Sequence, residues 1–222
     1  MQRKLHQHFL SSSFILNEEV ALAELKKGDI VLEIGAGPGY LTRKLASKAK
    51  TLAVEKDGKF IPALQGINNA EVFHEDALAF LKNARSFNKV VSNIPYYISQ
   101  PLLLAILKKK WEICVLLVQK EFAQKAVSHD KLGLLVEDCC SASVRGFVPA
   151  AAFAPKGVDS AFLVLRQKKA MDESLWSFLR KAYSMGNKNA GALPACPQNL
   201  RTKKIHQLSL EEIHQIHALN KA

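Results

Sequence analysis

The chain has 222 residues, of which 48% are hydrophobic, and this is enough for one sizeable core. No stretch approaches the roughly 20 apolar residues of a membrane span, and the four cysteines form no C-x-x-C pair, so we expect neither a membrane protein nor a disulfide or zinc framework. The 31 Lys and Arg against 20 Asp and Glu give a net charge of +11, which favours a polyanionic partner such as nucleic acid.

Short apolar runs alternate with helical patterns along the first two thirds of the chain. Strand followed by helix at this spacing predicts βαβ units around a mostly parallel sheet. The last two strands are joined by a Pro-containing link, which predicts an antiparallel pair at the sheet edge. The predicted strands are Asp29–Ile34, Thr51–Val54, Ala70–Phe73, Lys89–Val91, Ile113–Val118, Cys139–Val144 and Ala161–Leu165, and the predicted helices between them are Tyr40–Ser47, Lys59–Gln65, Leu78–Lys82 and Pro101–Lys109.

The character of the sequence changes after Leu165. Met171–Tyr183 and Ser209–Ala218 have helical patterns, and the second begins with a capping box in which Glu212 is the N3 residue. We therefore predict a main domain over residues 1–168 and a small, basic, helical C-terminal domain over residues 169–222.

The first predicted strand runs into a glycine-rich turn, Glu33-Ile-Gly-Ala-Gly-Pro-Gly39. Glycines at 35, 37 and 39 allow a tight turn and close approach of backbone to a ligand. Their spacing is G-x-G-x-G, whereas dinucleotide sites have G-x-G-x-x-G, and no Lys-Ser/Thr pair follows as in a P-loop. Alone, such a turn is equally consistent with an ordinary loop.

Two acidic residues strengthen the case for a ligand site. Glu55 follows the second strand and could bind ribose hydroxyls, and Asp76 follows the third and could accept from an exocyclic amine. Each alone could be a solvated loop acid, but carboxyl ends of parallel strands converge on one crevice. Ribose and adenine contacts without a pyrophosphate cradle favour S-adenosylmethionine over NAD or ATP.

The fourth strand ends in Asn93-Ile-Pro-Tyr96, an amide, a rigid imide and an aromatic ring together. With the other motifs, this order resembles the rRNA adenine N6-dimethyltransferase family, over roughly Gln7 to Leu165. An ordinary turn capping the next helix is the alternative for this stretch. The motifs that carry the resemblance are Gln7-His-Phe-Leu10, Glu33–Gly39, Glu55-x-Asp57, Asp76-Ala77, Asn93–Tyr96, Gln119-Lys-Glu121, Phe153-x-Pro155 and Val158-Asp-Ser160.

The resemblance implies a Rossmann-like class I S-adenosylmethionine-dependent methyltransferase sheet and dimethylation of adenine N6 in small-subunit rRNA. The chemistry of the residues agrees. Adenine N6 is a poor nucleophile because its lone pair is delocalised, and two acceptors on its hydrogens, the Asn93 side chain and the Ile94 carbonyl, would favour the developing ammonium. Pro95 removes a competing donor, and Tyr96 offers a stacking face. By the resemblance, Phe153 is a second stacking ring, and its alternative is a core phenylalanine.

The resemblance also implies the residues that contact the cofactor. No metal ligands are among them. The expected set is Gln7, His8, Leu10, Glu33, Gly35, Gly37, Gly39, Glu55, Lys56, Asp76, Ala77 and Asn93.

The implied partner is small-subunit rRNA, within a pre-ribosomal particle, bound by a monomeric cytoplasmic enzyme. An adenine methyltransferase acting on large-subunit or other RNA, and a non-catalytic or weakly catalytic RNA-binding ribosome assembly factor, are the alternatives. The C-terminal stretch Tyr183–Ala190 carries a single lysine, so we expect RNA to be held by cations elsewhere. The candidates are Arg3, Lys4, Lys108–Lys110, Arg145, Lys156 and Arg201–Lys204.

Overall fold

A seven-stranded sheet is the centre of the computed structural model, which describes residues 9–83 and 85–221. Two further short strands, the first and the eighth, pair with each other outside it. In chain order the strands are β1 (Phe9–Leu10), β2 (Ile30–Ile34), β3 (Lys50–Glu55), β4 (Ala70–His74), β5 (Lys89–Asn93), β6 (Ile113–Gln119), β7 (Cys140–Val148), β8 (Phe153–Ala154) and β9 (Ser160–Gln167).

The helices lie on both faces of the sheet and at its end. Several short 3₁₀ turns connect them to the strands. In chain order they are α1 (Ser13–Leu22), α2 (Tyr40–Ala46), α3 (Ile61–Gln65), α4 (Ala77–Lys82), α5 (Ser99–Leu107), α6 (Lys120–Ala126), α7 (Lys131–Cys139), α8 (Glu173–Ser184) and α9 (Leu210–Leu219).

The strand order is β4-β3-β2-β5-β6-β9-β7. The first five strands are parallel, whereas β9 is antiparallel to both β6 and β7. The predicted parallel sheet with an antiparallel edge pair is therefore confirmed. The chain moves outward in one direction from β2 to β4 and in the other direction from β5, so the switch point lies between β2 and β5. Ligands of open α/β sheets bind at the carboxyl ends of the strands at this point.

The central strands carry apolar residues on both faces because both faces of the sheet are covered. Leu32 and Val90 pack in the larger buried cluster, and their chain neighbours Val31 and Val91 pack in a second cluster on the opposite face. Alternate side chains of a strand point to opposite faces, so this division follows from the pleat.

The last helix, α9, begins where the sequence places its cap. The Ser209 hydroxyl accepts from the Glu212 N–H at 3.2 Å, and the Glu212 carboxylate accepts from the Ser209 N–H at 2.8 Å, which is the predicted capping box. Leu179 of α8 and Ile216 of α9 are buried in the same cluster as the sheet residues. The division into domains at residue 168 stays a prediction.

Three helices and the β1–β8 pair are absent from the sequence prediction. The missed helices are α1, α6 and α7. Cys139 ends α7 rather than beginning the predicted strand, and the β7 strand continues to Val148. Within residues 9–83 and 85–221, no helix combines the length and the apolar character needed to cross a membrane.

Candidate active site

A cavity of about 710 Å³ opens at the carboxyl ends of β2, β3 and β5, at the switch point of the sheet. Cavities of this size accommodate whole small-molecule ligands. Most of the predicted site residues meet in its wall. They are Leu10, Glu33, Gly35, Gly37, Glu55, Lys56, Asp76, Ala77, Asn93, Ile94, Pro95, Tyr96 and Phe153.

Of the three remaining predicted residues, Gly39 is the one that the structure places outside this wall. Gly39 lies one turn further on, as the residue preceding α2, with φ 81°. At this φ, glycine avoids the strain that a side chain would impose. Gln7 and His8 lie outside the residues that the structure describes.

The glycine-rich turn is held by backbone hydrogen bonds on one side and by Glu55 on the other. Gly35 and Gly37 both have positive φ, 74° and 52°. The Gly35 N–H donates to the Val54 carbonyl at 2.8 Å, and the Gly37 N–H donates to Glu55 Oε2 at 2.8 Å. The turn thus presents backbone rather than side chains to the cavity.

Glu55 is buried, and both of its oxygens already accept backbone hydrogen bonds. Besides Gly37, the Asp57 N–H donates to Oε1 at 2.7 Å. Each carboxylate oxygen has a further lone pair, so Glu55 can organise the two loops and still accept a hydroxyl of a ligand. The sequence predicts the second role only.

Glu33 is the most perturbed acid of the cavity wall. Its Oε2 is buried and has no hydrogen-bond partner among the described residues. Burial raises the pKa of Glu33 to about 8, with Thr42 opposing and the negative charge of Glu55 adding to the rise. Such an unpartnered oxygen in a cavity marks a place where a ligand donor can bind.

We expect Glu33→Gln to remove a pH dependence of stability. In the unfolded chain Glu33 ionises near its usual pKa of 4.5, and in the folded chain at about 8. Between these values the folded state binds more protons, so the free energy of unfolding falls as pH rises, by about 1.4 kcal/mol per unit from this group. Urea unfolding of both proteins from pH 5 to 8 measures the difference.

The glutamine variant should be close to the wild type at pH 5 and progressively more stable than it toward pH 8, because glutamine has no proton to lose. Two stability curves that run parallel across this range would show that Glu33 ionises normally in the folded protein.

Asp76 caps α4 and pairs with Lys56. Its Oδ1 accepts from the N–H groups of Leu78 and Ala79 at 3.0 and 3.3 Å, and Lys56 Nζ lies 3.1 Å from its Oδ2. These contacts lower the pKa of Asp76, with Lys56 as the largest cause. The carboxylate is therefore ionised at the cavity mouth, and an exocyclic amine bound there would share Oδ2 with the exposed Lys56.

The Asn93–Tyr96 stretch is fixed by neighbours on both sides. Ser92 Oγ donates to the Ile34 carbonyl at 2.5 Å, and the Ile94 N–H donates to the Leu117 carbonyl at 3.2 Å. The Tyr96 hydroxyl lies 3.0 Å from Ser160 Oγ. The amide, the following carbonyl and the ring are therefore preorganised at the end of β5.

Phe153 lines the same cavity as this stretch. It belongs to β8, and its partner in the antiparallel register with β1 is Leu10. Gly157 lies close to the ring, since a Cβ there would come within 2.9 Å of Phe153 Cγ. The close backbone helps to hold the ring in place.

Several residues of the site were not predicted from the sequence, and four of them bear directly on its geometry. Phe9 and Tyr97 line the cavity, and the Tyr97 side chain is 71% exposed at its mouth. Ser160 anchors Tyr96, and Glu19 of α1 lies buried behind Asn93. A signal existed for Glu19, because it occupies an apolar helix face with Leu16 and Val20.

Comparison with known proteins gives one family for the chain. The model of the ribosomal RNA adenine dimethylase family matches residues 1–217. A probable ribosomal RNA small subunit methyltransferase A from Thermococcus sibiricus is 38% identical over 182 residues, which cover 77% of this chain and 66% of the relative. The chain thus spans about two thirds of that relative's length. A ribosomal RNA small subunit methyltransferase A from Ligilactobacillus salivarius is 33% identical and covers 96% of this chain and 83% of its own length.

Solved structures give the same picture. The crystal structure of a dimethyladenosine transferase from Plasmodium falciparum superposes with a TM-score of 0.84 at 26% identity, covering 96% of this chain and 98% of that one. The 23S rRNA methyltransferase ErmE has a TM-score of 0.75 at 23% identity, with 96% and 99% covered, and supports the fold.

Proposed function

This chain belongs to the ribosomal RNA adenine dimethylase family, and on that premise we propose that it transfers two methyl groups from S-adenosylmethionine to N6 of adenines in small-subunit rRNA. The observation that carries the proposal is that two sets of residues line one cavity. One set, Asn93–Tyr96 with Phe153, suits a flipped adenine, and the other, around Glu33 and Glu55, suits a cofactor.

The cofactor half of the cavity fits S-adenosylmethionine in its chemistry. The unpartnered Glu33 Oε2 is an acceptor for a donor group of the ligand, and the Gly35–Gly37 backbone leaves room beside it. Glu55 and Asp76 would take hydroxyl and amine donors. When bound, S-adenosylmethionine supplies a methyl group activated by its positively charged sulfur.

The target half supplies acceptors rather than a base. Asn93 Oδ1 and the Ile94 carbonyl would accept the two N6 hydrogens and so favour the pyramidal, more nucleophilic amine. Tyr96 and Phe153 would hold the purine ring between them. The N6 proton becomes strongly acidic after transfer, so the chain needs no catalytic histidine or cysteine to remove it.

The decisive experiment is methyl transfer from labelled S-adenosylmethionine to small ribosomal subunits that lack the modification, followed by identification of the modified nucleosides by mass. We expect N6,N6-dimethyladenosine in small-subunit rRNA. Naked rRNA and large subunits serve as parallel substrates.

Each other outcome identifies a different function. Transfer to large-subunit RNA alone would overturn the substrate assignment and keep the enzyme class. Tight binding to the particle without transfer would favour an assembly factor and overturn the catalytic proposal. A pre-ribosomal particle as substrate, a monomeric enzyme and a cytoplasmic location stay predictions.

Two substitutions of Tyr96 distinguish the contribution of its ring from that of its hydroxyl. Tyr96→Ala should lower kcat/KM for RNA by roughly 5- to 150-fold, because stacking of a base on an aromatic ring contributes about 1–3 kcal/mol. Tyr96→Phe keeps the ring and loses the hydroxyl with its contact to Ser160, so its decrease in kcat/KM should be several-fold smaller. Equal losses in the two variants would assign the effect to the hydroxyl and contradict stacking.

Several of the cations predicted to bind RNA already have partners in the chain. Lys108 pairs with Glu173 at 3.0 Å, and Lys203 pairs with Glu212 at 2.6 Å. Their Nζ groups would have to exchange a carboxylate for a phosphate. The RNA contacts of these residues stay a prediction, and Arg3 and Lys4 lie outside the described residues.

A further inference from the structure

Glu19 is a fully buried acid on α1, with a relative exposure of 0%. It lies on the apolar face of its helix, where Leu16 and Val20 are also buried. A carboxyl group in such a position destabilises the fold unless it has a polar partner. Glu19 therefore needs a polar partner within the folded chain.

That partner is the side-chain amide of Asn93. Assigning the amide by its hydrogen bonds places Nδ2 3.0 Å from both Oε1 and Oε2 of Glu19. The oxygen and the nitrogen of a side-chain amide point in different directions from the shared carbon atom. If Nδ2 donates to Glu19, Oδ1 must therefore point away from it, on the side of Asn93 that lines the cavity.

We propose that Glu19 is a positioning residue for methyl transfer: its carboxylate holds Nδ2 of Asn93 and so fixes Oδ1 as the acceptor for the target amine. This inference rests on the proposed function and names a residue that acts through Asn93 without touching the substrate. It explains why a buried helix face carries a glutamate behind the end of β5.

The arrangement has a second, incompetent form. A protonated Glu19 carboxyl can donate to Asn93 Oδ1, and the amide then presents Nδ2 to the cavity, where an amine needs an acceptor. The protonation of Glu19 therefore selects the orientation of the Asn93 amide. Only the ionised form of Glu19 supports the reaction.

The surroundings of Glu19 determine where this selection occurs. Among the described residues, the charged group that acts on it is Glu33 of β2, and Glu33 is itself influenced by Glu55 of β3. Burial, followed by the charge of Glu33, raises the pKa of Glu19 well above its usual value. We therefore expect kcat to rise with pH as Glu19 ionises.

Three variants of the chain test the proposal. Glu19→Leu removes the acceptor, so kcat at saturating cofactor and RNA should fall by roughly 10- to 100-fold with cofactor affinity, measured by calorimetry, within about 2-fold of wild type. Glu19→Gln keeps one acceptor oxygen and should retain more activity than Glu19→Leu. Its kcat should not show the rise with pH. Glu18→Gln, at the exposed neighbouring position, is the matched control and should equal wild type.

The variant Glu33→Gln shows which of the two acids, Glu19 or Glu33, causes the rise of kcat with pH. The rise in kcat should persist in it but move to lower pH, because the negative charge that opposes Glu19 ionisation has been removed. Loss of the rise of kcat with pH in Glu33→Gln, together with its persistence in Glu19→Gln, would overturn the assignment to Glu19.

A measurement without substrates separates this proposal from the proposed function. The side-chain ¹⁵N–H₂ resonance of Asn93, assigned by its absence in Asn93→Ala, should shift with pH in the wild type and not in Glu19→Gln. A pH-independent resonance in both proteins, or an active wild type matched by Glu19→Leu, overturns the positioning role alone. An inactive wild type overturns the proposed function, while the titrating resonance would still establish the Glu19–Asn93 pair.

Discussion

Replacement of Asn93 by alanine is expected to lower kcat for methyl transfer by about 10²- to 10³-fold or more, while the affinity for S-adenosylmethionine stays nearly unchanged. Alanine removes the acceptor that stabilises charge developing on the target amine, and loss of one preorganised group of this kind has an effect of this size. The acceptor acts on the transition state, so kcat should fall much more than the binding of either ligand. Single-turnover transfer and calorimetry measure the two quantities separately.

Asn17→Ala is a suitable control for this experiment. Asn17 is exposed on α1, its Oδ1 accepts from Lys44 at 2.7 Å, and it is not among the residues that line the cavity. It should transfer methyl groups at the wild-type rate. An Asn93→Ala enzyme with wild-type turnover would remove the amide from the mechanism and leave the Ile94 carbonyl as the sole acceptor.

Replacement of Gly133 by alanine should destabilise the protein by roughly 3–5 kcal/mol. Gly133 lies in the first turn of α7, where helix propensity alone would favour alanine by about 1 kcal/mol. The structure predicts the opposite sign, because a Cβ at this position would lie 1.6 Å from the Ser128 carbonyl oxygen. That atom belongs to the backbone of the preceding turn and cannot rotate away. Urea unfolding gives the free-energy difference.

Gly66→Ala provides the contrast. Gly66 follows α3 with an ordinary φ of −81°, and a Cβ there would contact nothing within 4 Å. Its stability should stay within about 0.5 kcal/mol of wild type. If Gly133→Ala proved as stable as Gly66→Ala, the turn before α7 would have to adapt at little cost.

The sheet was predictable because its signal is local. A strand covered on both faces is an unbroken apolar run, and Ile113–Gln119 shows this run flanked by polar residues. The parallel order followed from the alternation with helices. The bounds of the predicted strands differ from the structure by a few residues, most of all at β7.

The missed helices lack the pattern that marks a helix in sequence. In α7, Leu132, Leu134, Leu135 and Val136 are all buried, so no polar face interrupts the apolar run and the period of 3.6 residues is hidden. Its N-terminal cap, Asp130, is clear only afterwards, with its Oδ1 2.8 Å from the Leu132 N–H. α6 is short and mostly polar, and its position depends on the strand before it.

The residues of the site were predictable, but several of their contacts were not. Asp76 and Glu55 were placed correctly at the strand ends, whereas their bonds to backbone N–H groups depend on loop geometry. The contact between Glu19 and Asn93 joins residues far apart in the chain. No local pattern encodes such a pair, although a glutamate on an apolar face was a visible anomaly.

The short pair of β1 and β8 has a consequence for how the binding of one ligand affects the binding of the other. It places Leu10, expected beside the cofactor, directly opposite Phe153, expected beside the target base. A ligand that steadies one strand of this ribbon lowers the entropic cost of steadying the other. Cooperativity between two ligands is reciprocal. The factor by which the cofactor changes the affinity for RNA must therefore equal the factor by which RNA changes the affinity for the cofactor.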